Sequence, residues 1–129
     1  MEKLSPEMNK LSEAIIGAAM EVHRELGPGF AELTYHRALM IELEDRGIRF
    51  QSEVPTQLHY KRRSIGEGRL DLLVEGKVVV ELKAAEANPK KYQRQAVAYL
   101  KATGLQLGLV INFEADLLKD GITRVIHTP

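Results

Sequence analysis

The chain of 129 residues contains no cysteine. This absence excludes three kinds of site together: a disulfide framework, a zinc site built on thiolates, and a cysteine nucleophile. It also fits a reducing compartment. The first thirteen residues are polar and charged and contain no continuous apolar stretch, so they do not resemble a targeting segment. We therefore expect a cytoplasmic protein.

Long apolar runs and an excess of charge are also missing. No run approaches the roughly 18 apolar residues that a membrane span needs, so we expect a soluble protein with no membrane partner. The 18 basic and 18 acidic residues cancel to a net charge of zero. The chain therefore has no overall field that would attract a polyanion, and any nucleic acid would have to be bound by a local patch.

What is present is the composition of a folded protein. Hydrophobic residues make up 44% of the sequence, and no repeat, low-complexity tract or linker interrupts it. A chain of this length is long enough to bury a hydrophobic core. We therefore predict one domain over residues 1–129.

Hydrophobic periodicity predicts both helices and strands. Three helices are predicted. The first starts at Ser5-Pro6 or Asn9 and ends at Leu26, and the other two cover about 30–46 and 89–103. The predicted strands cover 48–54, 57–60, 69–74, 77–83, 106–113 and 122–127, with Pro55 separating the first two and the last at a sheet edge. The order ααββββαββ predicts an α/β fold with a mixed sheet flanked by helices.

The two central strands, 69–74 and 77–83, carry charges between apolar residues. Glu81 and Lys83 are two residues apart and must share a face, but the position of Asp71 depends on the turn. A two-residue turn would place Asp71 on the face of the sheet opposite to that of Glu81. It would also mix apolar with charged side chains on one face. A three-residue loop pairs Asp71 with Val79 and gathers all three charges on one face, with Gly76 at a left-handed position.

Two carboxylates beside a lysine suit the chemistry of phosphate esters. Hard cations such as Mg²⁺ take oxygen ligands, and a lysine can stabilise developing negative charge. The alternative is a ladder of salt bridges on a solvated sheet face, which the pattern alone does not exclude.

Taken with the upstream motifs, these residues resemble a known family. Asp71 followed by Glu81-Leu82-Lys83, after two helices, resembles the PD-(D/E)XK nuclease superfamily. The run from Val22 to Tyr35 resembles its GxxExxY family, whose named motif corresponds to Gly29, Glu32 and Tyr35. The resemblance covers about residues 11–126, with further similarity at Tyr60-Lys61, at Gln95 to Lys101 and at 109–113.

The resemblance implies a PD-(D/E)XK nuclease-like (restriction endonuclease-like) fold and a metal-dependent nuclease. The implied ligands of Mg²⁺ or Mn²⁺ are Asp71, Glu81 and the carbonyl group of Leu82, with Glu32 as an additional acidic residue and His23 as a candidate ligand. Lys83 would be catalytic. Gln95 and Tyr99 match a motif that lies near the nucleic acid. Tyr35 is expected to contribute packing rather than chemistry.

Three functions remain open at this point. One is hydrolysis of phosphodiester bonds in DNA or RNA, and another is a non-catalytic nucleic-acid-binding or interaction module with the same fold. An enzyme of another class is the third. Basic residues cluster at 61–63 and on the helix 89–103, and they form either a basic patch or solvated faces. His36, His59 and His127 are interpreted as surface residues, and a homodimer is a candidate assembly that the sequence does not decide.

Overall fold

The computed structural model describes residues 4–128. Its helices are α1 (Pro6–Leu26), α2 (Glu32–Asp45) and α3 (Pro89–Thr103), and a short 3-10 helix, Leu118–Gly121, precedes the last strand. The strands are β1 (Phe50–Tyr60), β2 (Arg63–Val74), β3 (Val78–Lys83), β4 (Leu107–Asn112) and β5 (Ile122–Ile126). No helix within residues 4–128 is both long enough and apolar enough to cross a membrane.

Local sequence signals set the ends of the helices. The side chain of Ser5 accepts a hydrogen bond from the Met8 N–H at the start of α1, and Asn88 caps α3 through the Lys91 N–H. These caps satisfy backbone donors that have no partner within the helix. Gly104 ends α3 in the left-handed conformation, with φ 75°. The predicted bounds of α3 therefore agree with the structure.

The five strands form one sheet in the order β1-β2-β3-β4-β5. Strands β3 and β4 are parallel and are connected through α3, whereas the other neighbouring pairs are antiparallel. The predicted fold class, a mixed α/β sheet flanked by helices, is confirmed. The last strand lies at a sheet edge, as predicted.

Two hydrophobic clusters hold the layers together. On one face, Leu72, Val80 and Leu109 pack against buried residues of α1 and α2. On the other face, Val79 and Val110 belong to a cluster that includes the α3 residues Ala96 and Leu100. Burying apolar side chains on both faces of the central strands is the main stabilising contribution expected for such a fold.

The predicted element order is wrong in one detail, because residues 48–54 and 57–60 do not form two strands. Strand β1 runs through Pro55 without a break, and Pro55 pairs with Arg69. Proline is tolerated here because β1 is an edge strand, and one side of an edge strand needs no backbone donor. The observed order is ααβββαββ, and β2 begins at Arg63, six residues before the predicted start at 69.

The β2–β3 loop has three residues, as the sorting of hydrophobic residues predicted, and Gly76 has φ 67°. The register is shifted, because Val74 pairs with Val78 and Leu73 with Val79, so the loop is 75–77 rather than 74–76. Regular β2–β3 pairing stops at Leu72. Strict alternation, which would place Leu70 on the same face as Leu72, therefore does not extend to Leu70, which packs in the α3 cluster instead.

Candidate active site

An open cavity of about 480 Å³ lies between β2, the end of β3 and α3. The start of α2 contributes to its wall as well. The charged and polar residues of the lining are Glu32, Glu67, Arg69, Asp71, Glu81, Lys83, Gln95 and Tyr99. Residues that are up to 67 positions apart in the sequence therefore share one cleft.

Asp71 and Glu81 lie together at the base of this cleft. The Leu82 N–H donates a hydrogen bond of 2.7 Å to Oδ2 of Asp71. Glu81 is only 6% exposed, and its Oε1 is buried without a hydrogen-bond partner. Burial is the main cause that raises the pKa of Glu81 to about 9, with the charge of Asp71 second and a side-chain hydrogen bond with Asp71 third. At neutral pH Glu81 is therefore protonated unless a cation lies nearby.

Lys83 ends β3 on the same side as Glu81. Its charge lowers the pKa values of Glu81 and Glu32, so the ammonium group lies within electrostatic range of both carboxyl groups. Its Nζ is also 5.0 Å from the centroid of the Tyr92 ring. The Tyr92 hydroxyl donates to the carbonyl oxygen of Glu86, which fixes that ring relative to the loop before α3. Lys83 is thus held between an aromatic ring and the acidic pair.

Glu32 reaches the cleft from the first turn of α2. Its pKa is raised, first by partial desolvation and second by the charge of Asp71. The opposing effect of Lys83 is smaller. Glu32 is therefore electrostatically coupled to the hairpin, although about 40 residues separate them in sequence.

Tyr35 fixes the connection that precedes Glu32. Its hydroxyl donates to the Gly27 carbonyl oxygen at 2.5 Å and accepts from the Phe30 N–H at 3.1 Å. Its ring is fully buried and stacks on Phe113, with centroids 4.5 Å apart. Tyr35 therefore connects the loop at 27–30 to the core, which is a structural role.

Gln95 and Tyr99 lie one turn apart on the face of α3 that lines the cleft. Tyr99 packs closely on Gly68 of β2, where an added Cβ would lie 2.7 Å from the ring carbon Cε1. Any side chain at position 68 would force the Tyr99 ring or α3 itself to move. Gly68 therefore allows α3 to form a wall of the cleft.

His23 does not line this cavity. Its ring lies beside Phe113, with centroids 6.3 Å apart, and Nε2 is buried without a hydrogen-bond partner. The Leu82 side chain is in the core, and its observed contribution is the N–H bond to Asp71. The ligand roles of His23 and of the Leu82 carbonyl group stay predictions.

His36 is a residue that sequence reasoning misplaced. It is 6% exposed rather than on the surface, and its Nε2 lies 2.9 Å from Oγ of Ser52. It also lowers the pKa of Glu32, which lies one helical turn earlier in α2. The spacing of four residues between Glu32 and His36 was the available signal, since such pairs are neighbours on a helix.

Comparison with known proteins gives one result. A family model of the PD-(D/E)XK nuclease superfamily matches residues 9–125, which include every residue of the cleft. The chain belongs to the PD-(D/E)XK nuclease superfamily. No curated protein sequence and no solved structure matches it significantly. Membership of this nuclease superfamily indicates nuclease activity and a nucleic acid as substrate.

Nucleases of the PD-(D/E)XK superfamily generally use divalent metal ions, so the cleft can be tested for a fit to one. Glu81 offers a buried carboxyl oxygen without a partner, directly beside Asp71. Such oxygens are the donors that Mg²⁺ and Mn²⁺ prefer. Within residues 4–128, no three His, Asp or Glu side chains already lie close enough together to hold a metal ion. The donor chemistry of the acidic pair fits the metal.

Proposed function

We propose that this chain is a divalent-metal-dependent nuclease of the GxxExxY family that hydrolyses phosphodiester bonds in DNA or RNA. The observation that carries the proposal is the acidic pair of Asp71 and Glu81, with Lys83 beside it in one open cleft. A pKa of about 9 for Glu81 indicates that the cleft by itself supplies too little positive charge to keep this carboxyl group ionised. Perturbed carboxyl groups in a cleft are characteristic of functional sites.

In this proposal Asp71, Glu81, the Leu82 carbonyl group and Glu32 hold Mg²⁺ or Mn²⁺, with His23 as a further ligand. The cation would supply charge for the phosphoryl group and lower the pKa of a water molecule. Lys83 stabilises negative charge that develops on the phosphate oxygens. Gln95 and Tyr99, on the opposite wall, contact the nucleic acid.

The test is a nuclease assay with purified protein on a panel of DNA and RNA substrates, single- and double-stranded, with Mg²⁺, Mn²⁺ or EDTA. We expect cleavage that requires the metal ion and that falls by at least about 100-fold in Lys83→Ala, since removal of one electrostatic stabiliser typically costs this much. Lys77→Ala, an exposed lysine in the β2–β3 loop, is the matched control and should retain full activity. Equal activity in the two variants would remove Lys83 from the mechanism.

A second candidate function is a nucleic-acid-binding or interaction module without catalysis. The observation in its favour is that Asp71 already accepts a hydrogen bond from the Leu82 N–H. Binding without metal-dependent cleavage across the substrate panel would favour this module. A single domain, a homodimer and a cytoplasmic location stay predictions.

A further inference from the structure

Strands β1 and β2 continue beyond the rest of the sheet as a two-stranded arm, which we define as residues 57–67. Strand β3 pairs with β2 only from Leu72 to Val74, whereas β1 and β2 remain paired as far as Tyr60 and Arg63. Every residue of the arm except Leu58 is exposed. A two-stranded ribbon is marginally stable in water, so an arm of this length needs a reason other than folding.

The tip of the arm is strained and positively charged. Its two turn residues, Lys61 and Arg62, have φ values of 47° and 69°. A two-residue hairpin turn with both φ values positive strongly prefers Asn-Gly, because side chains with a longer stem are disfavoured there. With Arg63, the tip carries three consecutive cations, although neutral residues such as Asn-Gly would form this turn more easily. Strain of this kind is typical of binding sites.

The arm is joined directly to the candidate active site. The Gln57 amide donates to Glu67 at 3.0 Å and accepts from the Ser64 hydroxyl at 3.2 Å, which ties the two strands together. At the base of the arm, Tyr99 of α3 packs on Gly68. Leu58 and Glu67, which belong to the arm, line the cleft together with Tyr99. A ligand on the arm therefore lies beside the cleft.

The reach of the arm corresponds to several nucleotides. Gly68, at the cleft, pairs with Thr56, and Arg63 pairs with Tyr60, with a bulge in β2 between these two pairs. Four steps along β1 at about 3.3 Å per residue place the tip about 13 Å away. That distance equals roughly four base pairs of a duplex at 3.4 Å each. The cleft is acidic and the chain has no net charge, so the cationic tip supplies a local attraction for a phosphate backbone.

We propose that the arm binds double-stranded DNA about four base pairs from the reacting phosphate, with its basic tip in the major groove. The proposal rests on the proposed nuclease function and adds the substrate class. The major groove of B-form DNA is about 12 Å wide and admits a two-stranded β-ribbon. The major groove of A-form RNA is too narrow for side chains to enter, so duplex RNA does not offer this fit.

The test uses an arm variant that should fold at least as well as wild type. Lys61→Asn with Arg62→Gly removes two charges and supplies the residues that the turn prefers. Lys61→Gln with Arg62→Gln removes the same charges and keeps long side chains. The matched control is Lys10→Gln with Lys119→Gln, which removes two exposed lysines from α1 and from the 3-10 helix before β5, away from the β1 edge.

Binding is measured by fluorescence anisotropy in the Lys83→Ala background with Mg²⁺, on a DNA duplex of 24 base pairs and on the RNA duplex of equal sequence. Each phosphate contact contributes about four- to fivefold at 0.15 M salt, so both arm variants should bind DNA roughly 10- to 30-fold more weakly. The slope of log affinity against log salt should become shallower by about 1.8 on the DNA duplex. The control should bind as the parent does, and RNA affinity should change less than threefold in all variants.

Three results would overturn the proposal. Arm variants that bind DNA as tightly as the control would remove the arm from binding. An equal loss on the DNA and RNA duplexes would exclude the major-groove assignment. If only one of the two arm variants binds DNA more weakly, the effect comes from the conformation of the turn and not from the lost charges. If wild type cleaves nothing but the arm-dependent loss on DNA remains, the nuclease proposal fails and the arm stands.

Discussion

At the scale of single residues, Glu81 makes the stability of the protein depend on pH. Its carboxyl group has an ordinary pKa of 4.5 when exposed and a pKa of about 9 in the folded protein, because burial and the charge of Asp71 disfavour ionisation. Between these two values the folded state binds a proton that the unfolded state has lost. Without a metal ion, the free energy of unfolding therefore falls as the pH rises from about 4.5 to about 9.

We predict that Glu81→Gln removes most of this pH dependence. In EDTA at pH 8 the variant should be more stable than wild type by a few kcal/mol, because wild type must take up a proton at Glu81 on folding and glutamine need not. Urea unfolding at several pH values measures the effect. Glu114→Gln, at an exposed position, is the control and should follow wild type. If the free energy of unfolding depends on pH in the same way for Glu81→Gln and wild type, Glu81 does not have the raised pKa assigned to it.

A second residue-scale prediction concerns Tyr35. Replacing it with phenylalanine keeps the stack on Phe113 but removes the two hydrogen bonds that hold the loop at 27–30. We expect Tyr35→Phe to lower the free energy of unfolding by about 1–3 kcal/mol, because the partners at Gly27 and Phe30 are left unsatisfied.

Tyr60→Phe, at a residue that is 61% exposed, is the matched control for this substitution and should change stability by less than about 0.5 kcal/mol. Chemical denaturation of both variants gives the comparison. If the two substitutions have the same small effect, the Tyr35 hydroxyl does not hold the loop.

At the scale of elements, the contact between β2 and α3 depends on a missing side chain. An Ala at position 68 would place its Cβ 2.7 Å from Tyr99, so the helix or the ring must move. We predict that Gly68→Ala costs about 1–3 kcal/mol, the usual range for overpacking. Tyr99→Ala in the same chain should relieve the clash, so the double variant should be more stable than the sum of the two single effects predicts.

The control for this contact is Gly108→Ala in β4. Its added Cβ would meet Leu100 at 3.6 Å, which is an ordinary van der Waals distance. Thermal melts of the four variants test the prediction. A cost for Gly68→Ala no larger than that for Gly108→Ala would show that α3 is not held by this contact.

The elements also show what could be predicted from the sequence. Helix α3 was predictable to the residue, because Asn88, Pro89 and Gly104 are local signals at its ends. The continuity of β1 through Pro55 was not predictable from local signals, because it depends on which strand lies at the edge of the sheet. The arm was missed for a similar reason: residues 63–68 are mostly polar and include two glycines, and only pairing with β1 makes them a strand.

At the scale of the whole molecule, the cleft combines local and long-range information. The odd-length hairpin and the placement of Glu81 with Lys83 follow from alternation along one strand. The approach of Glu32 and Gln95 depends on how α2 and α3 pack on the sheet, and only the resemblance to a family made it predictable. The buried position of His36, beside Ser52 of β1, depends on the same packing.

The last prediction follows from the charge of the assembled cleft. Four carboxyl groups line the cleft, those of Glu32, Glu67, Asp71 and Glu81, against the two cations Arg69 and Lys83, so a divalent cation should bind the folded state preferentially and stabilise it. At a concentration of 100 times Kd the gain is about 2.7 kcal/mol, which should raise the Tm by roughly 10 °C. Lys83→Ala should keep this shift, because an ammonium group is not a ligand, whereas Asp71→Asn should reduce it. Thermal melts with and without Mg²⁺ or Mn²⁺ measure all three proteins. If the metal raises the Tm of wild type and Asp71→Asn equally, it binds somewhere other than this cleft.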